Sequence, residues 1–100
     1  MENKINQYNK KVEKSHKTRE KYSQLIDEYK QLVERYNEEM MRMAEIRYRG
    51  GQVQEQERIL RDLESETEEK QRELQEQRRV IENQERELHA LVEEMNHYQR

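Results

Sequence analysis

His89, Glu93 and His97 are the residues whose types and spacing come closest to a chemical site. They lie four positions apart, so they share one face of a helix. Imidazole and carboxylate groups are common ligands of divalent metals, and this set could hold one ion. The heptad pattern described below, however, puts all three at outer positions, with no polar side chains behind them to orient the ligands. We interpret them as solvated surface residues and predict neither a metal nor a cofactor.

Adjacent carboxylates are the second candidate for chemistry. Glutamate pairs occur at 38–39, 68–69 and 93–94, but neighbours on a helix point about 100° apart and cannot converge on one substrate. Gly50 and Gly51 lack the Lys and Ser or Thr that accompany glycines in a phosphate-binding loop. Enzymes need convergent groups in a concave pocket, which two helices do not offer. We predict that the chain is not an enzyme, has no catalytic residue and takes no small-molecule substrate.

The composition favours long helices. Of 100 residues, 43% are charged and 30% hydrophobic, and the chain has no Pro, Cys, Trp or Phe. The net charge of −3 is too small to keep the chain disordered by self-repulsion, and its abundant Glu, Gln, Lys, Arg and Leu all favour helices. The apolar runs are too short for a membrane span or a signal peptide. We expect a cytoplasmic protein, either a small assembly subunit or a segment of a longer rod.

Apolar and tyrosine side chains recur at alternating steps of three and four residues. This is the heptad signature of a coiled coil, and we assign these residues to the a and d positions. The predicted interaction seam of the first half contains Ile5, Tyr8, Val12, Tyr22, Ile26, Tyr29, Val33, Tyr36, Met40 and Met43. That of the second half contains Leu60, Leu63, Leu74, Ile81, Leu88, Leu91 and Met95. The polar seam positions Arg19, Lys70, Gln77 and Gln84 are expected to set the register.

The two halves do not share one frame. From Arg47 to Val53, both a positions, is six residues instead of seven, and one missing residue rotates the stripe by about 100°. Gly50 and Gly51 lie at this slip, and glycine commonly ends a helix in the left-handed conformation. We predict a basic coiled-coil helix over 1–49, a glycine turn or hinge over 50–52 and an acidic coiled-coil helix over 53–100. The alternative is one unbroken helix.

Charge and seam chemistry favour an antiparallel arrangement. Residues 1–49 carry a net charge of +3 and residues 52–100 one of −6, so the halves attract each other. Pairing residues whose numbers add up to 103 sets Met43 against Leu60, whereas a parallel dimer opposes Arg19 to itself. The same register pairs Arg19 with Gln84 and Arg47 with Gln56, and it places Lys11 beside Glu94 on the flank of the seam. The predicted fold class is all-α, two long helices in an antiparallel coiled coil, either a helical hairpin or a swapped antiparallel dimer.

The pattern indicates a function in association. We predict a non-enzymatic oligomerisation or scaffold element, structural or cytoskeletal in kind, that binds itself or another helical protein. Leu25, Leu32 and Ile46 at g positions make the apolar face of residues 22–46 broader than two helices need, which suggests where further association occurs. The alternative function is binding of nucleic acid or an anionic membrane surface through the basic residues 4–21. We expect those cations to dock on the acidic residues 82–94 instead.

Overall fold

A computed structural model describes residues 2–98 of the chain, with side chains for residues 3–97. Two helices make up most of it, α1 over Glu2–Tyr48 and α2 over Gln54–Tyr98. They pack against each other within one chain as an all-α helical hairpin, which confirms the predicted fold class. Neither helix contains a stretch long and apolar enough to cross a membrane within the described residues.

Two glycines end α1. Gly50 has a φ of 79°, and its N–H donates to the carbonyl of Arg47 at 3.0 Å, while that of Gly51 donates to the carbonyl of Ile46 at 2.9 Å. This is the Schellman motif, which satisfies carbonyls that the helix end leaves free. A Cβ on Gly51 would lie 2.7 Å from Cγ2 of Ile46, so this position also excludes larger residues. The chain leaves α1 one residue earlier than expected and enters α2 at Gln54.

The hairpin divides into two compact units, each made from a segment of both helices. The terminal unit comprises Met1–Gln24 and Gln75–Arg100, and the turn unit comprises Leu25–Leu74. The buried apolar side chains of the turn unit are Leu25, Leu32, Leu60 and Leu63. Among the described residues of the terminal unit, the buried side chains are Leu91 and the polar Ser15. Within residues 3–97, no side chain is fully buried, so the core is thin throughout.

The α2 seam lies where the sequence placed it. All seven of its predicted residues are buried or half-buried: Leu60, Leu63, Leu74, Ile81, Leu88, Leu91 and Met95. Their periodicity therefore marks the face that α2 turns toward α1.

The α1 seam requires a correction. Its d residues Tyr8, Tyr22, Tyr29, Tyr36 and Met43 are half-buried, as are the a residues Ile26 and Val33. The a residues Ile5, Val12 and Met40, in contrast, are 45%, 40% and 43% exposed, so their placement in the seam of this hairpin was wrong. The g residues turn inward in their place, and they include the buried leucines at 25 and 32 and the half-buried Ile46.

Two physical reasons explain this rotation of α1. Leu25 and Leu32 at g gain more by burial than the smaller valines that the a row holds at 12 and 33. The a row also holds Arg19 and Arg47, whose guanidinium groups would lose hydration in the seam. The broad face of residues 22–46, expected to receive an outside partner, therefore serves the contact with α2.

Polar contacts set the register in each unit. In the terminal unit Lys4 pairs with Glu94 at 2.6 Å and Lys11 with Glu87 at 2.9 Å. Lys11 therefore contacts an acid one heptad away from the predicted Glu94. The residue numbers add up to 98 in these two pairs, against 105 for the predicted flanking pair of Lys11 with Glu94.

The seam arginines also differ from the prediction. Arg19 pairs with Glu85 instead of Gln84, and in the turn unit Arg47 pairs with Glu57, at 3.2 Å, instead of Gln56. Each arginine thus reaches a carboxylate one position beyond the neutral residue that we expected it to face. Because α1 turns its a row toward solvent, the guanidinium groups meet charged partners at the edge of the seam and stay hydrated.

Candidate interaction surface

The outer side of α1 in the turn unit carries an exposed apolar surface, which we call the apolar patch: Met40, Met41, Ala44 and Tyr48. Met41 is 74% exposed and Tyr48 92% exposed. Spacings of three and four residues put these side chains on one helical face. Met43 and Ile46, which alternate with them along the chain, are half-buried on the opposite face toward α2. The patch is therefore available to a partner without disturbing the seam.

Ion pairs neutralise the charges around the apolar patch. Arg42 binds Glu39 at 2.8 Å, and the Glu39 side chain is only 13% exposed. Arg49 binds Glu45 at 2.9 Å, and Arg47 binds Glu57 as described above. Because each of these arginines has a carboxylate within reach, the patch presents little net field to a charged ligand.

An uncharged row runs through the patch. The outer b and e positions hold Asn37, Met41, Ala44 and Tyr48 and continue into Gly51. Earlier in α1 the same positions hold charged residues such as Asp27, Lys30 and Glu34. This row lies outside the a, d and g positions, so the periodicity of the seam does not reveal it. The loss of charge from b and e over one stretch of a highly charged helix is the signal that reveals it.

A shallow groove runs beside the seam of the turn unit. It encloses about 250 Å³ and is lined by Val33, Tyr36, Glu64, Thr67, Glu68 and Gln71. Gln71 Nε2 also donates to the hydroxyl of Tyr29 at 3.0 Å. Because the groove is open to solvent, its carboxylates stay hydrated. A site that shifts pKa values and orients a substrate usually encloses its charged groups away from water.

Polar side chains occupy part of the seam in both units. In the turn unit Lys70 donates to Glu28 at 2.6 Å and lies 3.5 Å from Glu73. The hydrogen bond to Glu28 raises the pKa of Lys70 above its ordinary value. In the terminal unit Gln84 Nε2 donates to Thr18 Oγ1 at 3.0 Å, while its buried Oε1 has no partner among the described residues. Such half-satisfied contacts favour one register at some cost in stability.

The basic residues of the terminal unit fall into two groups. Lys4, Lys11 and Arg19 dock on the acidic residues of α2, as expected for this segment. The Lys11 hydrogen bond and charge, with a smaller contribution from the charge of Lys14, lower the pKa of Glu87. The other group, which we call the basic stripe, is exposed along α1 at spacings of four, three and four residues: Lys10, Lys14, Lys17 and Lys21. These four lysines form no ion pair with any described residue.

The histidines make simple surface contacts. His89 lies 3.2 Å from Glu93, with side chains 77% and 70% exposed, and His16 lies 3.2 Å from Glu20. His97 is exposed in the last turn of α2. Within the part of the chain that the structure describes, no group of three or more His, Asp or Glu side chains is arranged to hold a metal ion.

No protein-family model, curated protein or solved structure matches this chain. Its surface chemistry is therefore the basis for assigning a function. That chemistry comprises a thin polar seam, a neutral apolar patch on the turn unit and a basic stripe on the terminal unit.

Proposed function

We propose that this chain is a non-enzymatic helical oligomerisation or scaffold element that acts by protein–protein association. The observation that carries the proposal is the apolar patch. Five large apolar side chains of the described chain are markedly exposed, and Met40, Met41 and Tyr48 are three of them. Exposed apolar side chains that cluster, instead of lying scattered, are typical of a surface that binds another protein.

The thin core supports the same proposal. Among residues 3–97, the buried apolar side chains are five leucines. A chain with so little apolar surface removed from water gains a large share of its stability when a partner covers more of it. We include in the proposal a structural, cytoskeleton-like role in the cytoplasm, with another copy or another helical protein as the partner.

Sedimentation equilibrium and thermal unfolding over a hundredfold range of concentration test this function. We expect the average mass to rise with concentration, because association buries the patch. The melting temperature should rise in parallel, because mass action favours the folded, associated state. A mass and a melting temperature that both stay constant up to millimolar concentration would contradict self-association as the basis of function.

The basic stripe favours a second candidate function, binding of nucleic acid or an anionic membrane surface. Its four lysines are exposed and lie along about three turns of α1. A row of unpaired cations can follow a phosphate backbone or an acidic headgroup layer, with an affinity that falls as salt rises.

Binding titrations with duplex DNA, single-stranded RNA and acidic vesicles at several salt concentrations test this candidate. A variant with Lys10, Lys14 and Lys17 changed to Gln should lose any binding that the stripe provides. The matched control changes the exposed Arg72, Arg79 and Arg86 to Gln, which removes the same charge from α2. No binding at low salt, or equal losses in both variants, would eliminate the stripe as a specific site.

A further inference from the structure

We propose that the partner of the apolar patch is the same patch on a second copy of this chain. In this arrangement α1 of each copy lies antiparallel to α1 of the other, with Ala44 at the two-fold axis. The inference rests on the proposed function and gives that function a specific partner, orientation and contact.

The spacing of the patch is self-complementary. Met41 precedes Ala44 by three positions, and Tyr48 follows it by four. When two such helices run antiparallel about Ala44, residues whose numbers add up to 88 face each other. Tyr48 of each copy therefore lies opposite Met40 of the other and beside Met41. A thioether against an aromatic ring is a favourable contact, and methionine adapts to an irregular surface. The small Ala44 side chain at the centre lets the helix axes approach to about 8 Å.

Charge favours a neutral apolar occupant over an ionic one. Asn37, Met41, Ala44 and Tyr48 carry no charge, and the arginines at 42, 47 and 49 are already bound to carboxylates. Pairing two copies here therefore buries no unpartnered charge, which would cost far more than the contact gains. A nucleic acid or an acidic helix, in contrast, would find no free cation in the patch.

The surface area of the patch sets the affinity that we expect for the dimer. From the exposed fractions of Met40, Met41 and Tyr48, the patch presents on the order of 500 Å² of surface, at the upper end of what monomeric proteins usually expose. Two copies would bury roughly 1,000 Å² in total, at the lower end for specific interfaces. A two-fold contact uses the same surface on both chains, so association closes at two copies through this patch. We therefore expect a dimer that dissociates in the micromolar range or above.

Disulfide trapping tests the geometry directly, because the chain contains no cysteine. An Ala44→Cys variant places one thiol from each copy beside the two-fold axis. Oxidised glutathione, the oxidant, accepts the two electrons as the two thiols lose their protons and join. The matched control is Ser23→Cys, an exposed residue at the same heptad position outside the patch. We expect covalent dimer from Ala44→Cys at least tenfold faster than from Ser23→Cys.

A second pair of variants tests the contact itself. Met41→Lys places an ammonium group beside Tyr48 of the other copy, and we expect at least a tenfold weaker dimer by sedimentation. Asn6→Lys, at the same heptad position and also exposed, should leave the dimer constant unchanged. Both positions face solvent in the hairpin, so the helical circular dichroism of each variant should match that of the parent chain.

The outcomes separate this inference from the proposed function. If the parent chain associates but Met41→Lys has no effect, association uses another surface, and the inference fails while the proposed function stands. If Met41→Lys weakens the dimer but Ala44→Cys cross-links no faster than the control, the two-fold antiparallel geometry is wrong. If the parent chain stays monomeric, with a melting temperature independent of concentration, the inference fails, and so does self-association as the basis of the proposed function.

Discussion

The two units of the hairpin share one heptad pattern but use different chemistry to hold the helices together. The turn unit packs Leu25, Leu32, Leu60 and Leu63 between its helix segments. The terminal unit buries Ser15 and Leu91 and joins its segments by ion pairs such as Lys11 with Glu87. Burial of leucine is worth about 1.5–3 kcal/mol per side chain, whereas an exposed ion pair is worth at most about 1 kcal/mol. The same periodicity therefore gives a stable unit in one place and a weaker, salt-sensitive unit in the other.

Replacing a buried leucine in each unit should reveal the largest difference in stability between the two units. Leu63 and Leu91 are 7% and 5% exposed. We expect Leu63→Ala to lower the free energy of unfolding by roughly 2–3 kcal/mol, within the usual range for such cavities. Leu91→Ala should cost less, because Leu91 is the one buried apolar side chain among the described residues of the terminal unit, so fewer buried neighbours surround the cavity. Urea unfolding followed by circular dichroism measures both, and an equal or larger loss in Leu91→Ala would refute the contrast.

A change at the glycine turn should weaken the turn unit selectively. Gly50 has a φ of 79°, and an L-residue in that left-handed conformation costs about 1–2 kcal/mol. Gly50→Ala should therefore destabilise the turn unit by about 1 kcal/mol, seen as faster amide exchange in Leu25–Leu74. Gly50→Asn is the matched control, since asparagine tolerates this conformation better. If alanine and asparagine behave alike, the left-handed turn is not what limits the stability of this unit.

A substitution at Ser15 should raise the stability of the terminal unit toward that of the turn unit. Ser15 is only 5% exposed, and alanine has a higher helix propensity than serine by roughly 0.5 kcal/mol. Ser15→Ala should stabilise the protein by that amount plus the gain from burying a methyl group in place of a hydroxyl. The control, Ser23→Ala, lies on the exposed side of α1 and reports the propensity alone. A gain at Ser15 no larger than that at Ser23 would show that the buried hydroxyl carries no cost.

Acid should lower the stability of the terminal unit by a small amount. Lys11, with help from Lys14, holds the pKa of Glu87 below its ordinary value of 4.5. Around that pH the native state therefore binds fewer protons than the unfolded state, and the stabilisation is lost as pH falls through the lowered pKa. In the turn unit the raised pKa of Lys70 acts in the opposite direction, and its contribution is lost only above its ordinary value of 10.5.

Amide exchange measured by NMR at pH 5.5 and at pH 3 checks this difference. We expect protection to fall in the helix segments around Lys11 and Glu87 at the lower pH. In a Glu87→Gln variant the fall should be smaller, since the titrating group is gone. Added salt at pH 5.5 should act in the same direction as acid, because it screens exposed pairs. Unchanged protection in the parent chain under both treatments would show that this ion pair does not hold the unit together.

The apolar patch could have been recognised from the sequence. Asn37, Met41, Ala44 and Tyr48 stand at outer positions that hold Asp27, Lys30 and Glu34 in the preceding turns of α1, and this contrast is visible without a structure. The exposure of the patch could not be predicted in the same way, because the sequence did not fix which face of α1 contacts α2. Had the a row faced α2 squarely, Met40 would have been buried instead of 43% exposed.

The sequence by itself determined a helical chain with two heptad frames, and it favoured a break at Gly50 and Gly51 and an antiparallel orientation. These could be predicted because periodicity, glycine conformation and opposite net charges are local or additive properties of the chain. Which face of α1 turns inward was decided only by the tertiary structure. The a and g rows flank the d row at about 60° on either side, so a/d and d/g seams fit the sequence equally well. Packing against α2 chose the leucines at 25 and 32 and left the arginines at 19 and 47 in water, because burying leucine is favourable and burying a guanidinium is not.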